Sequence, residues 1–211
     1  MGVNKQNSPL ELRIGLTGGI GCGKSLALAE FERLGWSTIE ADKLARAILN
    51  QDPEVHRLLL KEFGGEIFKS DGEIDRAALG KLVFSNKESL RFLESILHPR
   101  VRKEWQQLVF HPGRRFWIVE IPLLFEKNLE KDFDYTVCLN CSPHVQRRRL
   151  LGRGMSETDI QARISNQWPL PEKMSRADFV LTNDGSISFL HSQVYQLHNK
   201  LMKVDFSPSQ S

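Results

Sequence analysis

The segment from Gly18 to Ser25 constrains the fold of this chain more strongly than any other part of its sequence. It reads Gly-Gly-Ile-Gly-Cys-Gly-Lys-Ser and fits the pattern G-x-x-x-x-G-K-[ST] at every fixed position. A short apolar run, Leu12 to Thr17, precedes the segment, and helix-forming residues from Leu26 to Leu34 follow it. This strand–loop–helix context is the one that a phosphate-binding loop requires.

The chemistry of this segment suits a bound polyphosphate better than an accidental glycine turn. Glycines let the backbone bend around phosphate groups and direct successive amide N–H groups inward, at the positive end of the following helix. Lys24 is expected to reach the β- and γ-phosphates of a nucleotide, and the Ser25 hydroxyl to hold Mg²⁺. The segment therefore predicts a site for ATP or a related nucleotide together with Mg²⁺.

Length and charge narrow the class of protein further. A chain of 211 residues can bury a full core, as one large domain or as a core with an insertion. Its net charge of +3 is mild and does not indicate nucleic acid or an acidic membrane as a partner. No apolar run approaches the ~20 residues of a membrane span, and no signal-peptide pattern opens the chain. We expect a cytoplasmic protein, and a monomer is favoured although the sequence does not fix the oligomeric state.

Three cysteines are too few for a disulfide framework. Cys22 lies inside the phosphate-binding loop, whereas Cys138 and Cys141 form a C-x-x-C pattern with His144 close behind. That pattern is similar to half of a zinc site, but no second ligand pair follows it. Ordinary packing is therefore favoured over a metal or redox role, and we expect no structural metal.

Two acidic residues stand where predicted strands end. A second strand, Trp36 to Glu40, is followed by Asp42, and a third strand, Phe116 to Ile121, contains Glu120 near its end. Ligands of open parallel sheets sit at the carboxyl ends of strands, so we expect Asp42 beside the γ-phosphate. Its alternative role is to cap the next helix. Glu120 either orders Mg²⁺ through water or is a structural carboxylate.

Residues 43–115 are predicted to form a helical insertion. The gap between the second and third strands is far longer than the ~10–12 residues that a minimal strand–helix–strand crossover needs. Helical patterns begin at Asp52, near Ile74 and at Asn86. The pair His98-Pro99 is predicted to end one helix and to start another that runs to Phe110. An insertion next to Asp42 is where an acceptor substrate would be held.

Residues 142–176 are predicted to form a helical lid after a fourth strand at residues 134–139. Arg149 and Arg153 share one face of its first helix, and Gly152 and Gly154 are candidate hinges. Arginines near the γ-phosphate of ATP neutralise the charge of the transferring group. The alternative is a solvated basic face.

These elements add up to an α/β fold with a doubly wound, five-stranded parallel sheet of the P-loop kinase type. A single domain, residues 1–211, would comprise a core of residues 10–42, 116–141 and 177–202, the acceptor insertion and the lid. No [NT]-K-x-D run that could read guanine is present, which disfavours a GTPase. Together these features describe phosphoryl transfer from ATP to a bound small molecule.

An ordered series of motifs resembles the dephospho-coenzyme A kinases over roughly Leu12 to Leu201. The matching segments are 14–25, 39–46, 63–64, 75–79, 98–99, 122–126, Arg149, 164–167 and 177–185. The resemblance implies transfer of the ATP γ-phosphoryl group to the ribose 3′-hydroxyl of dephospho-coenzyme A. The products would be coenzyme A and ADP, in the last step of coenzyme A biosynthesis.

The resemblance also implies roles for individual residues, with Asp42 as general base and Lys24 and Arg149 acting on the phosphates. It implies ATP contacts from Gly18, Gly19, Ile20, Gly21, Cys22, Gly23, Lys24, Ser25, Leu26, Arg149, Arg153, Asn183 and Gly185. The candidates for acceptor contacts are Thr17, Asp42, Arg76, His98 and Leu123. The chain departs from the family pattern at Cys22, Leu26 and Glu40, and the first two bear on how the α-phosphate is held.

Two other functions are also compatible with the sequence. One is another small-molecule or nucleotide kinase with the same core, which a panel of acceptors would separate. The other is a non-catalytic nucleotide-binding regulator that uses the arginines of the lid. Tight, salt-dependent RNA or DNA binding without acceptor-stimulated ATP use would favour it. Neither a nucleic acid nor a membrane is expected as a partner.

Overall fold

The computed structural model describes residues 11–111, 113 and 115–203, apart from the side chain of Phe84. By its internal contacts the chain divides into two compact units. The first unit contains the residues up to Ile39 and those after His111, and the second unit contains residues 40–111. Within the described ranges, no helix combines the length and the apolar character needed to cross a membrane.

A five-stranded sheet with strand order β2-β3-β1-β4-β5 forms the centre of the fold in the described part of the chain. The central strand β1 pairs in parallel with β3 on one side and β4 on the other, and β4 pairs in parallel with β5. The strands are β1 Leu12–Gly18, β2 Ser37–Glu40, β3 Phe116–Glu120, β4 Tyr135–Asn140 and β5 Phe179–Thr182. The predicted fold class, an α/β P-loop kinase fold with a five-stranded parallel sheet, is confirmed.

Apart from the helix over residues 170–176, which no sequence pattern marked, and one predicted break, the helices follow the strands in the order that the sequence patterns predict. In chain order they are α1 Lys24–Arg33, α2 Ala41–Gln51, α3 Pro53–Phe63, α4 Arg76–Ser85, α5 Lys87–Val109, α6 Pro143–Leu151, α7 Glu157–Ser165, α8 Leu170–Arg176 and α9 Ile187–Lys203. Short polar side chains begin several of them, because their oxygens accept the free amide N–H groups of the first turn. Asp52, Asp75, Asn86, Ser142 and Ser156 do so at α3 to α7.

Each unit has its own apolar core. In the first unit, buried side chains of β1, β3 and β4 pack with α1 and α9, and Ile14, Leu16 and Phe31 are fully buried there. In the second unit, Val55 and Leu59 of α3 are fully buried in a separate cluster with residues of α2, α4 and α5. The two units therefore each contain an apolar core of their own.

The predicted helix boundary at His98-Pro99 is wrong. Helix α5 runs without interruption from Lys87 to Val109 and contains Pro99. A proline inside a helix removes one N–H donor and its ring pushes against the preceding turn, so helices usually break there. Here the Arg100 guanidinium donates to the Ile96 carbonyl at 2.9 Å and also pairs with Asp52 at 3.3 Å. These contacts of Arg100 stabilise the turn that contains Pro99, although they do not replace the bond that Pro99 removes.

Candidate active site

The phosphate-binding loop follows β1 and adopts a backbone that its glycines alone can take. Gly18, Gly21 and Gly23 have φ values of 140°, 76° and 93°. A Cβ on Gly18 would lie 2.3 Å from the Leu139 carbonyl oxygen, and one on Gly23 would lie 2.1 Å from Asn183 Nδ2. The motif glycines are thus required by both the backbone conformation and the close approach of β4 and Asn183.

Replacing Gly23 by alanine should weaken ATP binding as well as stability. The positive φ costs about 1–2 kcal/mol for a residue with a Cβ, and the new methyl group would also displace the buried Asn183 side chain. We expect the Kd of ATP to rise at least about 10-fold, as titration calorimetry would measure. Gly35→Ala is the matched control, because Gly35 has a φ of 89° but nothing within 4 Å of its Cβ position. Equal effects of the two substitutions on ATP binding would contradict the role of the Asn183 contact.

Lys24, the first residue of α1, is buried and folds back over its own loop. Its Nζ donates to the carbonyl oxygens of Gly18 and Gly19 at 3.3 and 3.2 Å, and it lies 3.6 Å from Glu120 Oε1 at the end of β3. Phosphate oxygens are stronger partners for an ammonium group than carbonyl oxygens are. The lysine is therefore held at the loop with partners that a phosphate can replace.

The neighbouring candidates for nucleotide contacts differ in exposure. Ser25 is exposed in the first turn of α1, whereas Leu26 is half-buried and packs against the core of the first unit. Arg153 is exposed in the turn that follows α6, which ends at Leu151, so the prediction that it shares a face of that helix with Arg149 is wrong. Gly185 lies in the loop between β5 and α9. The structure therefore gives Leu26 a packing role, while the Ser25 hydroxyl is accessible to a ligand.

Arg149 and Asn183 form a polar chain that ends on the phosphate-binding loop. Arg149 Nη2 donates to Asn183 Oδ1 at 3.3 Å, and Asn183 Nδ2 donates to the Cys22 carbonyl at 2.9 Å. The other terminal nitrogen of Arg149, Nη1, is buried and has no hydrogen-bond partner among the described residues. A buried guanidinium nitrogen without an acceptor is costly, so this group lacks an acceptor of the kind that an anionic ligand at the loop would supply.

Two glutamines hold the peptide groups of Ile20, and the residue-by-residue predictions of the site did not include them. Gln146 Nε2 on α6 donates to the Ile20 carbonyl at 2.7 Å, and the Ile20 N–H donates to Gln167 Oε1 at 3.2 Å. Gln167 belongs to segment 164–167, one of the segments that resemble the dephospho-coenzyme A kinases, so the sequence did point to this residue. Nothing in the sequence distinguishes Gln146. The loop is thus fixed from both ends of the predicted lid segment.

The cysteines pack inside the fold rather than forming a metal cluster. The Cys141 thiol donates to Cys22 Sγ at 3.2 Å, which lowers the pKa of Cys22 and raises that of Cys141. Cys138 is buried in β4, and burial raises the pKa of its thiol to about 11. In the described ranges no three His, Cys, Asp or Glu side chains are grouped so that they could hold a metal ion.

The candidate acceptor residues fall into both units. In the first unit, Thr17 is fully buried and donates to the Pro122 carbonyl at 3.1 Å, and Leu123 is half-buried in the turn after β3. In the second unit, three of the candidate acceptor residues have exposed side chains. They are Asp42 in the first turn of α2, Arg76 at the start of α4 and His98 within α5.

Comparisons with known proteins point to one family. The family model described as dephospho-CoA kinase matches residues 12–188. A dephospho-CoA kinase domain-containing protein of Danio rerio is 42% identical over 89% of this chain and 84% of its own length. The dephospho-CoA kinase of Geobacillus kaustophilus is 41% identical over 84% of this chain and 90% of its own length. A solved dephospho-CoA kinase structure from Campylobacter jejuni has a TM-score of 0.68 at 28% identity, covering 90% of this chain and 97% of that chain.

Proposed function

The chain belongs to the dephospho-CoA kinase family, and we propose that its phosphate-binding loop, Arg149 and Asp42 carry out the family's reaction. That reaction is the ATP-dependent phosphorylation of dephospho-CoA in coenzyme A biosynthesis. In the proposed step the γ-phosphorus leaves the bridging oxygen of ADP and bonds to the ribose 3′-hydroxyl oxygen. The proton of that hydroxyl goes to the Asp42 carboxylate.

The buried, unpartnered Nη1 of Arg149 is the observation that carries the proposal. It lies on a guanidinium that Asn183 ties to the Cys22 carbonyl of the phosphate-binding loop. Phosphoryl transfer spreads negative charge over the equatorial oxygens of the γ-phosphoryl group, and an arginine and a lysine directed at them stabilise that charge. Arg149 and Lys24 are the residues of the described loop region that suit this role.

Asp42 supports the proton transfer by its chemistry and by its position in the chain. A secondary hydroxyl is barely ionised near neutral pH, so a carboxylate must orient it and accept its proton as the new bond forms. Asp42 lies two residues beyond the end of β2, and ligands of parallel sheets bind where strands end. Its exposed side chain is accessible to an acceptor.

Mg²⁺ is part of the proposal, because two oxygen-bearing side chains suit it at the loop. Magnesium prefers hard oxygen ligands and retains several waters. The Ser25 hydroxyl would bind the ion directly and the Glu120 carboxylate, beside Lys24 Nζ, would hold one of its waters. The bound ion would neutralise charge on the β- and γ-phosphates.

A direct assay tests the proposed function. Purified protein is mixed with ATP, Mg²⁺ and dephospho-CoA, and ADP release is measured together with the mass of the acceptor. We expect acceptor-dependent ADP release and an acceptor heavier by one phosphoryl group. Shikimate, nucleoside monophosphates and a mixture without acceptor are the controls. Faster transfer to one of these than to dephospho-CoA would contradict the proposal.

A further inference from the structure

Lys173 on α8 is a fully buried lysine that the proposed chemistry does not use. Its side chain has no exposed surface, and lysines are almost never fully buried unless they are paired. Its Nζ lies 2.7 Å from Glu126 Oε1 and donates to the Pro122 carbonyl at 2.6 Å. Burial lowers the pKa of Lys173, and the Glu126 carboxylate opposes that change. A buried charge of this kind is costly, so its position calls for a physical reason.

The Pro122 carbonyl connects this lysine to the phosphate-binding loop. Thr17 Oγ1 donates to the same oxygen at 3.1 Å, and Thr17 immediately precedes Gly18, where the loop begins. Pro122 itself lies just after β3, the strand that ends on Glu120. One carbonyl oxygen therefore joins α8, the turn after β3 and the end of β1.

Glu126 provides a second connection between α8 and the turn after β3. Its Oε1 accepts the Trp168 N–H at 2.9 Å as well as the ammonium group of Lys173. The preceding residue, Gln167, accepts the N–H of Ile20 in the loop. The segment from Gln167 to Lys173, which lies near the end of the predicted lid, is thus bound both to the loop and to the turn after β3.

We propose that Lys173 is a positioning residue for phosphoryl transfer, which with Glu126 fixes the Pro122 carbonyl and, through Thr17, the start of the phosphate-binding loop. The inference rests on the proposed function. Buried ion pairs are often replaced by well-packed apolar residues with no loss of stability, so stability alone does not account for this pair. Catalysis by positioning, in contrast, is sensitive to shifts of about 1 Å in the groups that hold the substrate.

The double variant Lys173→Met, Glu126→Gln tests this role without leaving one buried charge unpaired. The glutamine keeps an acceptor for the Trp168 N–H. We expect a folded protein whose kcat for transfer to dephospho-CoA is lower by about 10- to 100-fold, while ATP hydrolysis without acceptor falls less. The ratio of hydrolysis to transfer therefore rises. A loss of folded protein would scale both rates equally, so the ratio reports on positioning and not on stability.

Two further variants keep the test decisive. Arg147→Met removes an exposed ion pair of the same predicted lid, with Glu157, that does not reach Pro122, and we expect the wild-type ratio. Thr17→Val removes only the hydroxyl that donates to Pro122, and it should raise the ratio in the same direction but less. If the double variant fails to fold, the ratio of hydrolysis to transfer in Thr17→Val decides whether the contact with Pro122 positions the loop.

The outcomes distinguish this inference from the proposed function. A wild-type ratio in the double variant or in Thr17→Val, or an equally raised ratio in Arg147→Met, would overturn the positioning role of Lys173. Wild-type protein that transfers no phosphoryl group to dephospho-CoA would instead refute the proposed function on which the role rests.

Discussion

Replacing Asp42 by asparagine is expected to lower kcat for phosphorylation of dephospho-CoA by about 10²- to 10⁴-fold, the range that a general base contributes. Asparagine has nearly the shape of aspartate and still hydrogen-bonds the acceptor hydroxyl, but it cannot take up the proton. ATP should bind as before, because the proposed ATP contacts lie elsewhere. Steady-state kinetics with acceptor and calorimetric titration with ATP measure the two quantities separately.

Glu40→Gln is the matched control for this prediction. Glu40 lies two residues before Asp42 and its carboxylate pairs with Lys43. The substitution removes the same charge from the same short segment, so electrostatic effects of a general kind would appear in both variants. We expect Glu40→Gln to retain nearly full turnover. Wild-type turnover in the Asp42→Asn variant, or the same loss in both variants, would remove Asp42 from its proposed role.

The phosphate-binding loop could be predicted in detail because its requirements are local. A chain that bends around phosphate groups needs glycines at positions of positive φ, and Gly21 and Gly23 have such φ values. The order of strands and helices also followed from local patterns of apolar residues and helix-capping side chains. These signals depend on neighbours within one or two turns, which the sequence displays directly.

The break predicted at Pro99 shows the limit of such local rules. Proline disfavours a helix interior in any sequence, but the cost can be reduced by a side chain that the rule does not consider. Arg100 donates to the Ile96 carbonyl and pairs with Asp52, which is distant in the sequence. Tertiary contacts of this kind override a local preference, and they cannot be read from the residues around Pro99.

Residues that hold the site from a distance were missed for a related reason. Gln146 and Lys173 act on Ile20 and Pro122, to which they are linked only by the fold. A lysine in a charged helical stretch normally indicates a solvent-exposed face, and the sequence alone does not reveal that Lys173 is buried. For the C-x-x-C pattern the sequence favoured ordinary packing, but it did not display the contact of Cys141 with Cys22 in the phosphate-binding loop.

Arg149→Met is expected to lower kcat by on the order of 10³-fold, as the removal of an arginine from a transferring phosphoryl group does elsewhere. The same substitution removes a buried nitrogen that has no partner among the described residues, but it also removes the donor to the buried Asn183 Oδ1, so its two effects on stability without ATP oppose each other. We therefore expect only a small change in Tm in the absence of nucleotide, together with a smaller rise in Tm when ATP is added. Thermal unfolding with and without ATP measures both.

Arg148→Met separates the role of Arg149 from a general effect of positive charge on α6. Arg148 is the exposed neighbour of Arg149 on the same helix, and its loss should change neither kcat nor the ATP-dependent shift in Tm beyond small effects. Arg149→Lys keeps the charge but not the two separate nitrogens, of which one donates to Asn183 and the other lacks a partner among the described residues, so we expect only partial activity. A destabilised Arg149→Met protein with normal kcat would show that this arginine supports the fold and not the reaction. Because the Nη1 group of Arg149 gains an acceptor only when its ligand binds, we expect the opposite result, with activity lost and stability largely kept.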